Sequence, residues 1–142
     1  MCPRWLCWVS LLLNACADPA PGVDISGLYL GDVLLANNDP SLSIFTSAEL
    51  ILEGGDVEGS HVTTKAPSSV VGEVGVLSGQ ITLTSDFEAD AALTFAFPTL
   101  GTFTGRGVII VSEATRGLAG TVPARDAAGG VIGQVTIAIQ QE

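Results

Sequence analysis

The sequence predicts an all-β domain: a small antiparallel β-barrel of about eight strands or, as the alternative, a β-sandwich. Three observations carry this. Apolar and polar residues alternate at a period of two in short runs, and no segment carries a 3.6-residue apolar stripe. Turn-forming residues break the runs at short intervals, at Asn37-Asn38-Asp39-Pro40, Gly54-Gly55-Asp56, Ser78-Gly79 and across 126–130. Glycines also fall within the runs, at Gly27, Gly31, Gly72, Gly105, Gly107, Gly120 and Gly133, and these suit the sharp bends of a closed sheet.

The strands follow in order. Ile25 to Leu35, Ile44 to Glu53, Val57 to Thr64 and Val70 to Leu77 come first, with loops at 37–43 and 66–69. Gln80 to Thr84 turns Ile81 and Leu83 inward, and Leu93 to Phe97 turns Leu93, Phe95 and Phe97 inward. Val108 to Val111 is apolar on both faces, so this strand is expected to be covered on both sides or to lie at an interface. Leu118 to Ala124 precedes the clearest strand, Val131 to Gln140. There Val131, Val135, Ile137 and Ile139 share one face with Gly133, while Gln134, Thr136 and Gln140 share the other with Ile132 and Ala138.

The first residues have another character. Arg4 stands near the start, an uncharged apolar run from Trp5 to Leu13 follows, and Asn14-Ala15-Cys16 leads into Pro- and Ala-rich sequence. A charged tip, a short apolar core and small residues make an export signal, and the core is shorter than the roughly 20 residues that span a bilayer. Leu13-Asn14-Ala15-Cys16 resembles the signal of bacterial lipoproteins. The resemblance implies cleavage before Cys16, which would carry fatty acyl chains such as palmitate and become the first mature residue. It implies a location in the cell envelope, anchored to a bacterial membrane; a secreted or periplasmic protein is the alternative. The domains are then a signal peptide at 1–15, the lipidated cysteine and tether at 16–24, and one β domain at 25–142. Prolines and a glycine in Ala17 to Asp24 keep that tether extended.

The tail from Gly101 carries Gly101-Thr102-Phe103-Thr104-Gly105, Gly117-Leu118-Ala119-Gly120-Thr121-Val122 and Gly129-Gly130. This punctuation resembles the closing hairpins of small lipocalin-like or dirigent-like barrels. It implies a barrel and brings no site residues with it.

Charge and composition narrow the function. Fifteen acidic residues face five lysines and arginines, a formal net charge of −10. Such a surface repels nucleic acid and anionic headgroups, so the membrane is expected as a partner through lipid on Cys16, and nucleic acid is not expected as a partner. The cysteines, Cys2, Cys7 and Cys16, all precede the β domain, which excludes a disulfide within it. Both tryptophans, Trp5 and Trp8, lie in the leader, so a carbohydrate platform of stacked tryptophans is missing.

Chemistry is sparse. The single histidine, His61, follows Ser60, but neighbours on a strand point to opposite faces and make no nucleophile–base pair. There is no nucleophile elbow and no phosphate loop ahead of a helix. One histidine and no cysteine in the domain exclude a His- or Cys-rich zinc site. No cofactor and no catalysis are expected. Asp86, Glu88 and Asp90 alternate, so they would share one face and could begin a calcium site or form a solvated hairpin face; Glu53, Asp56 and Glu58 raise the same pair of readings. Arg106, Arg116 and Arg125 would make an anion pocket if hairpins gather them, or pair with acids such as Glu113 and Asp126. Phe95, Phe97 and Phe103 are the candidate ligand-binding residues. Two functions follow: a barrel that binds a small or apolar ligand, or a side-chain-filled, non-catalytic barrel that meets another envelope protein through its surface.

Overall fold

A computed structural model describes residues 24–142. The signal at 1–15, Cys16 and the tether as far as residue 23 lie outside the described residues. Eight antiparallel strands close into a barrel: β1 (Gly27–Asn37), β2 (Ile44–Glu53), β3 (Asp56–Thr64), β4 (Val74–Leu83), β5 (Glu88–Phe97), β6 (Gly101–Ser112), β7 (Gly117–Arg125) and β8 (Val131–Gln141). Each strand pairs with the next, and β1 also pairs with β8 along Tyr29 to Asn37. The barrel prediction holds over the sandwich.

The alternation explains the core. Leu50, Val62, Leu77, Ile81, Ile109, Leu118, Val122 and Ile137 are each almost wholly buried, and they come from six of the eight strands. Outward positions carry Asp32, Glu58, Gln80, Asp90, Arg106 and Gln134, all exposed. The interior is apolar, while the outer wall mixes these charged and polar residues with exposed Leu30, Phe45, Ile51, Val76, Val108 and Ile110.

Closure depends on two glycines on the inward face of the β1–β8 seam. A Cβ on Gly31 would lie 2.2 Å from the Ala138 carbonyl oxygen, and one on Gly133 would lie 2.0 Å from that of Ala36. The two backbones cross closely at both points, where a small barrel coils most. A bulge bends the neighbouring β2–β3 wall. Gly59 and Ser60 together face Leu50, and the buried Ser60 Oγ accepts the Ile51 N–H at 2.8 Å and donates to the Glu58 carbonyl at 3.0 Å. The hydroxyl thus serves a backbone donor that the bulge takes out of the ladder.

Four local expectations need correction. Ser78-Gly79 is no turn: β4 runs through it, with Ser78 paired to Thr94 and Gly79 to Leu93, so Val70 to Leu77 and Gln80 to Thr84 belong largely to one strand. Gly72 stands in a loop, not in a strand. β5 starts at Glu88 and so takes in two residues of the acidic run. Val131 is 53% exposed although it shares parity with Val135, because the register shifts between Ala124 and Arg125 beside the last hairpin.

An even number of strands puts both ends of the described chain at one end of the barrel, together with the β2–β3, β4–β5 and β6–β7 turns. The other end, here called the mouth, carries the β1–β2, β3–β4, β5–β6 and β7–β8 connections.

Candidate functional site

The mouth gathers three of the phenylalanine side chains. Phe95 and Phe97 point inward near the end of β5, and Phe103 faces them from β6, paired directly with Phe95. The Phe97 and Phe103 rings lie 6.4 Å apart between centroids at 57°, a tilted contact within the favourable range. With Val33, Ile44 and Thr46 they enclose a cavity of about 10 Å³, room for about one water molecule. The barrel interior is therefore filled by its own side chains at this end.

Above Phe103 and Ile44 the surface opens into a groove of about 230 Å³. Leu42, Leu100 and Ile132 form its apolar walls, and Asn37 and Asp126 stand at its rim. Each connection is held by local bonds. In the β1–β2 connection Asp39 Oδ1 accepts the Ser41 N–H at 3.1 Å and caps the short 3₁₀ turn Pro40–Leu42, which leaves Leu42 51% exposed at the groove. The Asn38 N–H donates to the Ile132 carbonyl at 2.7 Å and ties that connection to β8. The Thr99 N–H donates to Glu73 Oε1 and ties the β5–β6 turn to the β3–β4 loop. In the last hairpin Asp126 Oδ1 accepts the N–H groups of Ala128 and Gly130, both at 3.0 Å, while the Arg125 guanidinium donates to the Gly129 carbonyl at 2.8 Å.

The other candidates are not gathered into sites. Glu88 and Asp90 do share the outer face of β5, as alternation requires, but Asp86 leaves it in the turn. On the β6 side Glu88 meets Ile110 and Asp90 meets Val108, and on the β4 side Asp90 meets Thr82, so no further carboxylate joins them across either ladder. Among the described residues no three His, Cys, Asp or Glu side chains converge on a position for a metal ion. Arg106 stands midway along the outer wall, Arg116 in the β6–β7 turn and Arg125 at the mouth, so no anion pocket forms from the three. Nor do they pair with Glu113 or Asp126: the ion pairs among the described residues are Lys65 with Asp32 at 2.7 Å and His61 with Glu49 at 3.7 Å. His61 is half-exposed on the outer wall while Ser60 is buried, so their side chains diverge.

The far end is polar. Asp24, Glu113, Arg116 and Gln141 surround Tyr29 in a recess of about 330 Å³. The Tyr29 hydroxyl donates to the Ile25 carbonyl at 2.8 Å. Burial pushes its phenol above the ordinary value of 10.0, opposed by the Arg116 charge. Asp24 titrates below its usual range because it accepts hydrogen bonds from Ser26.

The sequence reading found the three phenylalanines but missed Leu42, Leu100 and Ile132. The signal was available: Leu42 and Leu100 are large apolar residues within otherwise polar connections. Val108 and Ile110 answer a second expectation. They are 52% and 54% exposed, so among the described residues nothing covers the outer face of β6 there, while Ile109 and Val111 are buried beneath it. Comparison with protein-family models, curated proteins and solved structures returns no match.

Proposed function

We propose that this chain is an exported, lipid-anchored β-barrel that binds a small apolar group at its mouth and performs no catalysis. The observation that carries the reading is the stack of apolar side chains at one end: Phe95, Phe97 and Phe103 below, Leu42, Leu100 and Ile132 above, with Phe103 and Ile44 shared by cavity and groove. A concave apolar site with a few polar groups at its rim is the usual form of a small-ligand site. The interior leaves room for about one water, so the ligand sits in the groove and not inside the barrel. The lipoprotein-like Leu13-Asn14-Ala15-Cys16 supports the anchor, and the described chain begins at the end of the barrel opposite the mouth, which leaves the mouth clear of the point of attachment.

Native mass spectrometry of the lipid-anchored chain, released gently from its host's envelope, tests this. A carried small molecule that Phe103→Ala loses is expected. A bare chain, with no apolar probe shifting the Leu42, Leu100 or Ile132 resonances, overturns it.

A second reading is favoured by the same filled interior together with exposed Val108 and Ile110: the barrel acts as a rigid body whose outer wall meets an envelope protein. Crosslinking from β6 in intact cells tests it, and loss of a specific adduct in Ile110→Lys is the expected result.

A further inference from the structure

We propose that the mouth selects an amphipathic amine: a small apolar body carrying an ammonium group, held by Asp126. The inference rests on the mouth reading above and deepens it. Of the residues lining the groove, Asn37, Leu42, Ile44, Leu100, Phe103, Asp126 and Ile132, only Asp126 is ionisable. Its geometry leaves part of the carboxylate for a ligand. Both hydrogen bonds that fix the hairpin go to Oδ1, and Oδ2 accepts none of them. The neighbouring cation does not neutralise it, because Arg125 turns to the Gly129 carbonyl and forms no ion pair with Asp126.

The lining thus offers a ligand an aromatic ring, aliphatic walls and one negative charge at the rim. An amphipathic amine satisfies all three: its ammonium group donates to Oδ2, and its apolar body packs on Leu42, Leu100, Ile132 and the Phe103 ring. A neutral apolar ligand gains only the walls. A carboxylate of the same shape is repelled by Asp126 and by the net charge of −10 that surrounds it.

Three probes of one shape test this by NMR on the full chain in nanodiscs of neutral lipid: 2-phenylethylammonium, 2-phenylethanol and 3-phenylpropionate. The ammonium is expected to shift the Leu42, Leu100 and Ile132 resonances and to bind about fivefold more tightly than the alcohol, the scale of a half-exposed ion pair. The carboxylate is expected to bind more weakly than either. Asp126→Asn retains the Oδ1 acceptor that folds the hairpin and is expected to bring ammonium and alcohol to one affinity. Added salt narrows their difference in the wild type, a readout that needs no variant. Equal affinity for ammonium and alcohol in the wild type overturns the inference and leaves the apolar mouth standing. No shift at the mouth with any probe overturns both. Ammonium shifts confined to the acidic turns at the opposite end show binding by general charge and overturn the inference alone.

Discussion

Gly133→Ala tests whether the barrel closes as tightly as its seam implies. The added methyl carbon would stand 2.0 Å from the Ala36 carbonyl oxygen and 2.9 Å from the Asn37 Cα, both backbone atoms. An ordinary C···O approach is roughly 3.3 Å, so the two strands must part by more than about 1 Å. No side-chain rotation relieves this. The β1–β8 ladder must open locally, giving up one or two hydrogen bonds at about 1 kcal/mol each beside an overpacking cost of about 1–3 kcal/mol. The expected loss is about 2–4 kcal/mol, a large share of a small domain's stability. The assay is equilibrium urea unfolding of wild type and variant, with hydrogen exchange to locate the opening at Ala36, Asn37 and Gln134. Gly130→Ala is the matched control. It lies three residues away, its new carbon would meet nothing nearer than Asp126 Oδ1 at 3.5 Å, and it should cost less than about 0.5 kcal/mol. If the two variants unfold at the same urea concentration, the close seam is wrong and the β1–β8 pairing has slack.

Other predictions follow from the same structure. Ser60→Ala removes the acceptor of the Ile51 N–H in the bulge and should cost about 1–3 kcal/mol in the same unfolding assay, while His61→Ala, on the outer wall, should cost under about 0.5 kcal/mol. Ile110→Lys should leave the unfolding midpoint almost unchanged, whereas Ile109→Lys puts a charge into the core and should prevent folding, as circular dichroism would show. Tyr29 is the single tyrosine, so phenolate absorbance reports it alone. Its folded pKa is raised from 10.0, so the folded state holds the proton longer than the unfolded state does. Its contribution to stability is present below pH 10 and is lost as pH rises from there through the folded value. A phenol that titrates at its ordinary value in the folded chain would contradict the buried hydroxyl.

Much of the fold was legible because inside and outside alternate with the backbone. β2 was read with its observed bounds, Ile44 to Glu53, and β8 within a residue, since clear turn signals bound both and most of their inward positions are apolar. Ser78-Gly79 misled because a glycine beside a serine reads the same whether the chain turns or passes close to a neighbour, and here β4 runs on alongside β5. Val108 to Val111 was read correctly as apolar on both faces, but a strand's sequence does not carry what lies against its outer side. At the candidate site Phe95 and Phe97 were legible from parity alone. Their meeting with Phe103 depended on the β5–β6 register, and the contributions of Leu42, Leu100, Asp126 and Ile132 on which three connections fold over the same opening.

The sequence by itself determined the strand-rich class, the inward faces, the acidic surface and the lack of cysteine within the domain, because each follows from local composition and a period of two. Only the tertiary structure decided that β8 returns to β1, that the arginines stand apart, and that the apolar side chains of separate loops share one mouth. Those facts depend on ladder register and barrel closure, which join residues far apart in the chain, and no local pattern encodes a distance between them.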